Sequence, residues 1–146
     1  MEIIVIRNLD TVDLSLLLEE SKKEGYRFLE RLVHEYQAGT NTFKNPGECL
    51  YGVLDDKNVL LAIGGLNVDP YCGNQGVGRL RRFYVSAKYR RTGVGSNLLK
   101  AIISRARTHF KVLVLHTDTE QGDRFYLSQG FEKEELYPKS SHYIKM

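Results

Sequence analysis

The chain has 146 residues, 42% hydrophobic and 27% charged, with a net charge of +3. That length suits one domain with one core. No apolar run approaches a membrane span, and the charge is too small for a diffuse nucleic-acid-binding surface. Residues 1–7 lack a basic leader region, and Cys49 and Cys72 have neither metal nor redox spacing, so two free thiols in a reducing cytoplasm are expected.

In chain order, residues 2–8 are rich in Ile and Val and predict a strand. Asp10 is placed to cap a helix over 11–23, with Asp13 in its first turn, and Gly25 ends it. Phe28, Leu29, Leu32, Val33 and Tyr36 recur at i, i+3, i+4 and predict an amphipathic helix over 26–37. Residues 38–47 read as loop. Strands over 49–54 and 59–66 flank a turn at 55–58, the pattern of a hairpin, and the Gly- and Asn-bearing stretch 67–78 is a second connection. Residues 80–85 form the next strand. Val94, Leu98, Leu99, Ile102, Ile103 and Ala106 share one face of a helix that runs over 96–108. Residues 112–115 are a continuous apolar strand of the kind buried on both faces. A short helix over 118–129 and strands over 131–136 and 141–146 complete an order βαα-βββ-αβ-αββ, a mixed α/β layout without repeat or linker.

The stretch Arg90, Arg91, Thr92, Gly93, Val94, Gly95, Ser96 lies between a strand and a helix. Glycine lets backbone approach an anion, the free N–H groups of a first helical turn point at it, and arginine adds charge-assisted contacts. The spacing is that of neither a Walker loop nor a dinucleotide-binding fold. A plain helix start is the competing reading. Arg79, Arg81, Arg82, Lys88, Arg90 and Arg91 fall within thirteen residues, as a solvated face or as a local attractor of a polyanion.

About thirty residues later, Phe125, Tyr126, Leu127, Ser128, Gln129, Gly130 and Phe131 close a short helix with glycine at its end. Arg-x-x-Gly-x-Gly, an apolar strand, then Phe-Tyr-x-x-x-Gly-Phe resembles the GNAT (GCN5-related) N-acetyltransferase superfamily, well over residues 80–131 and in outline before them. The resemblance implies a single domain over 1–146: a central, mostly antiparallel sheet with two splayed parallel strands and helices on both faces. It implies acetyl-CoA as co-substrate and no metal. It places the cofactor on Phe83, Tyr84, Val85, on Arg90, Arg91, Thr92, Gly93, Val94, Gly95, Ser96, and on Thr119, which stands where the family often has Asn. Ala87 replaces the family's usual proline.

Expulsion of a thiolate benefits from a proton donor, and Tyr126 matches the family's donor tyrosine; a core aromatic beside Phe125 and Phe131 is the alternative. The family's acidic position before Phe83 is Arg79 here. Glu35 and Asp69 read as ordinary surface carboxylates, so no general base is assigned. His34, His109, His116 and His142 lack ligand spacing, and His142 reads as structural. Among Tyr26, Tyr36, Tyr51, Tyr71, Tyr137 and Tyr143, some can line an acceptor pocket. The expected activity is acetyl transfer to a primary amine of a small molecule or a protein, in the cytoplasm, with no nucleic acid or membrane partner. The resemblance also suggests a homodimer and leaves oligomeric state open. A non-catalytic acyl-CoA-binding or sensing domain is the rival reading; a small nucleic-acid binder ranks last.

Overall fold

The computed structural model describes residues 1–146. Its elements are β1 (Glu2–Val5), α1 (Ser15–Lys23), α2 (Phe28–Ala38), β2 (Cys49–Leu54), β3 (Leu60–Val68), β4 (Val77–Val85), α3 (Val94–Arg107), β5 (Val112–Leu115), α4 (Glu120–Ser128), β6 (Glu132–Lys133) and β7 (His142–Lys145). All seven strands share one sheet, ordered β1-β2-β3-β4-β5-β7-β6. Every neighbouring pair is antiparallel except β4 and β5, whose parallel pairing needs the α3 crossover.

Both sheet faces are covered, which accounts for the long apolar runs of β3 and β5. Leu98, Leu99 and Ile102 of α3 pack with Leu66, Leu80 and Leu113 on one face. Leu17 of α1 and Leu29 and Leu32 of α2 pack with Leu50, Ile63 and Tyr84 on the other. The layers are therefore helix, mixed sheet, helix.

Several boundaries differ from expectation for local reasons. Asp10 caps no long helix: it lies in a one-turn 3-10 helix (Leu9–Thr11) whose cap is Asn8, and α1 begins only at Ser15. The connection after β3 shrinks to residues 69–76, because Val68 still pairs with Gly78. Gly78 is a strand residue, not a turn residue; a Cβ there would lie 2.7 Å from the Phe110 ring. Helix α3 opens at Val94 rather than residue 96, from Gly93 in the left-handed region at φ 92°. The strand expected over 131–136 is only two residues long.

Two features of β4 shape the site. It pairs with β5 only at Val77, Gly78 and Arg79; beyond that point Leu115 turns to His142 of β7, and β4 runs on to Val85 beside β3 alone. A gap thus opens between the parallel strands. The β3–β4 register also slips, so that Gly64 faces the two residues Arg82 and Phe83, a β-bulge with Arg82 at φ 57°. Gly64 has no room for a side chain there, since a Cβ would sit within 2.9 Å of both Ile102 and Phe83.

Asp69 and Arg79 overturn the sequence reading of Asp69 as a surface carboxylate. Both side chains are almost fully buried and pair at 2.6 Å, and Arg79 also donates to the carbonyls of Lys139 (2.8 Å) and Pro138 (3.0 Å). Asp69→Ala leaves a buried guanidinium uncompensated. The expected loss is about 3–5 kcal/mol of stability, read as a fall in thermal midpoint and in urea midpoint at unchanged slope. A loss under about 1 kcal/mol would mean that water reaches this pair.

Candidate active site

A cavity of about 1230 Å³ follows the gap. Its walls come from the α1–α2 connection, β4, the turn before α3, the end of β5 and the start of α4. It is large enough for an extended ligand together with a second small molecule.

One end is the glycine turn. Gly93 supplies the left-handed residue that starts α3, and Gly95 sits 3.2 Å (as a notional Cβ) from Val85. The N–H groups of residues 91–96 find no acceptor inside the protein, whereas Arg90 N–H donates to Ala87 and Asn97 N–H to Gly93. Six successive unpaired amides, three of them within the first helical turn, make a strong anion cradle. Arg91 is exposed beside it and makes no ion pair, while the Ser96 hydroxyl donates to Gln129 (3.1 Å).

Arg90 lines the same end, but its donors are occupied. It forms a two-pronged pair with Glu24 at the end of α1 (2.8 and 2.6 Å), and its Nε donates to the Val85 carbonyl (3.0 Å). Tyr84 donates to the same Glu24 carboxylate. This pairing holds the Glu24 carboxyl below its ordinary range, with the Arg90 hydrogen bond as the chief cause.

The gap edge is the next feature. Ser86 N–H donates to Leu61 of β3, so by antiparallel alternation Val85 and Phe83 turn their N–H and C=O groups toward the gap. The Val85 carbonyl is taken by Arg90, which leaves its N–H and the Phe83 backbone. Tyr84 points its backbone at β3 and its ring into the α1–α2 layer, so its contribution to the site is a side wall.

Across the gap, Thr119 caps α4 by accepting from Gly122 N–H (3.0 Å), and its hydroxyl lies 3.4 Å from that of Thr117 on the cavity wall. Tyr126 lies under Phe83, Phe125 and Phe131, with ring centroids 5.1–6.2 Å away. Its hydroxyl has no protein partner and it lines the cavity. Burial alone pushes its pKa well above the ordinary phenol value, which keeps it protonated.

A model of the acetyltransferase (GNAT) family matches residues 13–131. The chain belongs to the GNAT acetyltransferase family. A protein of Exiguobacterium sp. 255-15 assigned as an acetyltransferase is 30% identical, covering 99% of this chain and 92% of that one, with a TM-score of 0.87. A ribosomal-protein-alanine N-acetyltransferase of Brucella melitensis shares the fold at 17% identity over both full lengths, with a TM-score of 0.73. A protein of Bacillus anthracis assigned as a streptothricin acetyltransferase, solved with acetyl coenzyme A, shares it at 18% identity over 70% of this chain and 65% of that one, TM-score 0.59. A search of curated proteins finds no match. Family and fold imply acyl-CoA-dependent acetyl transfer.

In this GNAT domain the gap brings Phe83, Tyr84, Val85, Arg90, Arg91, Gly93, Gly95, Ser96, Thr119 and Tyr126 onto one cavity, whereas the Thr92 hydroxyl donates to the Tyr89 carbonyl and the Val94 side chain is buried in the core beneath α3. Glu35 and Asp69 stand outside it, tied to Arg82 (2.8 Å) and Arg79. His142 is 1% exposed, with its ring nitrogens 2.7 Å from Asp123 and Ser141, so its role is structural. Tyr26 and Tyr71 line the cavity; Tyr36, Tyr51, Tyr137 and Tyr143 do not. Sequence reasoning missed four lining residues: His116 and Asp118, and Arg27 and Arg31 at the α1–α2 connection and in α2. Their position just after an apolar strand was the available signal for the first two. No metal-ligand cluster exists in the structure, and no helix is long and apolar enough to cross a membrane.

Proposed function

We propose that the protein transfers the acetyl group of acetyl-CoA to a primary amine by direct attack of nitrogen on the thioester carbonyl. The observation that carries this reading is the row of six unpaired amides on the same cavity as the free Tyr126 hydroxyl. The amides of Arg91–Ser96 would hold the pyrophosphate, with Arg91 adding charge. The backbone of Phe83 and Val85 and the Thr119 hydroxyl would hold the amide-bearing arm. Acetyl-CoA supplies the activated acyl group. The lone pair of a neutral amine forms the new C–N bond as the C–S bond breaks, and the bonding pair leaves on sulfur. Tyr126 gives its proton to that sulfur and is reprotonated from solvent. The proton lost by the amine passes to cavity water, directly or through His116 or Asp118. The cytoplasm, where both free thiols stay reduced, is the proposed setting.

The rival reading, an acyl-CoA sensor, draws on the commitment of Glu35 and Asp69 to ion pairs. Incubation with acetyl-CoA and a panel of amines separates the two. Free thiol released together with N-acetylated amine supports the enzyme; tight coenzyme A binding with no release above hydrolysis supports the sensor. Binding should also weaken severalfold from low to physiological ionic strength, because the cations beside the turn are exposed and screened. Salt-independent affinity would reduce the arginine cluster to a solvated face.

A further inference from the structure

Resting on the acetyltransferase reading, we infer that the acceptor is an anionic amine, a molecule that carries a carboxylate or phosphate beside its amino group. Eight arginines and one lysine line the cavity against a single carboxylate, Asp118. In a chain of net charge +3 this is a local concentration. Four of the arginines are neutralised by carboxylates: Arg79 by Asp69, Arg82 by Glu35, Arg90 by Glu24 and Arg124 by Glu120. Arg91 belongs to the phosphate turn. The rest, Arg27, Arg31, Arg81 and Lys139, have no carboxylate partner and come from three separate parts of the fold.

Arg81 is the centre of the argument. It lies two residues beyond the last β4–β5 pair, where the two strands begin to part. It is half-buried and forms neither an ion pair nor a side-chain hydrogen bond; Arg82 and Arg79 oppose its charge, while Tyr71 and Glu35 favour it without contact. Desolvation is the main cost to its charged form. The Arg82 side chain next to it is 92% buried, from its 8% exposure, and its Nε finds no partner. Buried guanidinium donors are rarely left without acceptors, and planar bidentate recognition of a carboxylate or phosphate is what arginine does best. Lys139 and Arg79 sit against the Tyr71 ring at 4.5 and 4.8 Å, which brings the Lys139 ammonium to the same wall.

The same charges repel polyamines, aminoglycosides and basic peptides. They also disfavour the ammonium form of any bound amine, which eases deprotonation where no buried carboxylate serves as base.

The test uses matched amine pairs with the intact protein and acetyl-CoA. Phosphoethanolamine is set against ethanolamine, β-alanine against β-alaninamide, and glycine against glycinamide, with spermidine and kanamycin as cationic probes. Thiol release gives kcat/KM, and calorimetry on the coenzyme A complex gives binding without turnover. The anionic member of at least one pair should be favoured by roughly 10- to 100-fold, the span of one charge-assisted contact. Arg81→Gln should erase that ratio while coenzyme A affinity and thermal midpoint stay put. The carboxylate and phosphate arms tell the two anion types apart. Equal or greater turnover of neutral or cationic amines overturns the inference, as does a ratio unchanged in Arg81→Gln, or anionic amines that neither bind nor react. Loss of the underlying reading is distinct: no amine of any charge would release thiol above hydrolysis, or coenzyme A itself would fail to bind.

Discussion

Tyr126→Phe should slow acetyl transfer by about 10²–10⁴-fold, the usual contribution of a positioned general acid. The hydroxyl touches no protein group, so its removal breaks no hydrogen bond, and the ring keeps its edge contacts with Phe83, Phe125 and Phe131. Thermal midpoint and coenzyme A affinity should therefore hardly move, and the loss should fall on kcat. A strongly raised pKa makes the phenol a weak acid. The leaving thiolate would form beside the same buried phenol, however, and partial desolvation there would raise its basicity too. Because the phenol stays protonated beyond its ordinary value of about 10, a descending limb of activity below that pH belongs to another group and should persist in the variant. Wild-type turnover by Tyr126→Phe would leave Tyr126 as a packing residue.

Gly95→Asp should weaken coenzyme A binding by about 10³-fold while leaving the fold intact or slightly firmer. The two effects have opposite signs for one reason. A carboxylate in the first turn of α3 opposes the positive end of the helix dipole, a stabilising contact of about 0.3–1 kcal/mol. It also occupies the place of the phosphates. Like unit charges about 4 Å apart cost about 4 kcal/mol at the effective dielectric of a protein surface. Gly95→Ala is the control: its Cβ meets Val85 at 3.2 Å and Phe125 at 3.6 Å, so only small adjustment is needed. Calorimetry on both variants reads the difference. Equal affinities in wild type and Gly95→Asp would move the phosphate site elsewhere.

The readable parts of this molecule were those encoded locally. The glycine turn, the apolar face of α3 and the Phe125–Phe131 stretch each lie within about fifteen residues, and the cofactor half of the cavity follows from them. Gly76 and Gly78 look alike in sequence. Pairing with Val68 and Leu113, under the Phe110 ring, makes Gly78 part of β4, and nothing in the chain announces those neighbours. Asp69 and Arg79 look like surface charges until the β6–β7 connection closes over them through Pro138 and Lys139. The acceptor half was illegible for the same reason. Arg27, Tyr71, Arg81 and Lys139 lie far apart in the chain, and the topology alone brings them to one wall. The bulge that sets Arg82 at positive φ is likewise a property of the β3–β4 register, not of the residue.

The gap between β4 and β5 also divides the labour of the molecule. Below Arg79 and Val114 there is one sheet; above them there are two leaves joined along a spine of three residue pairs. The larger leaf, β1 to β4 with α1 to α3, carries the phosphate turn and most of the acceptor wall. The smaller leaf, β5 to β7 with α4, carries Thr119, Tyr126 and Lys139. On the proposed reading, a cofactor lying in the gap would be gripped by one leaf and acted on by the other, and the distance from its sulfur to the Tyr126 hydroxyl would follow the angle between them. Val77 and Val112 pair along that spine and the Phe110 ring packs on Gly78 there, so substitutions at these positions should alter the rate without touching any residue that lines the cavity.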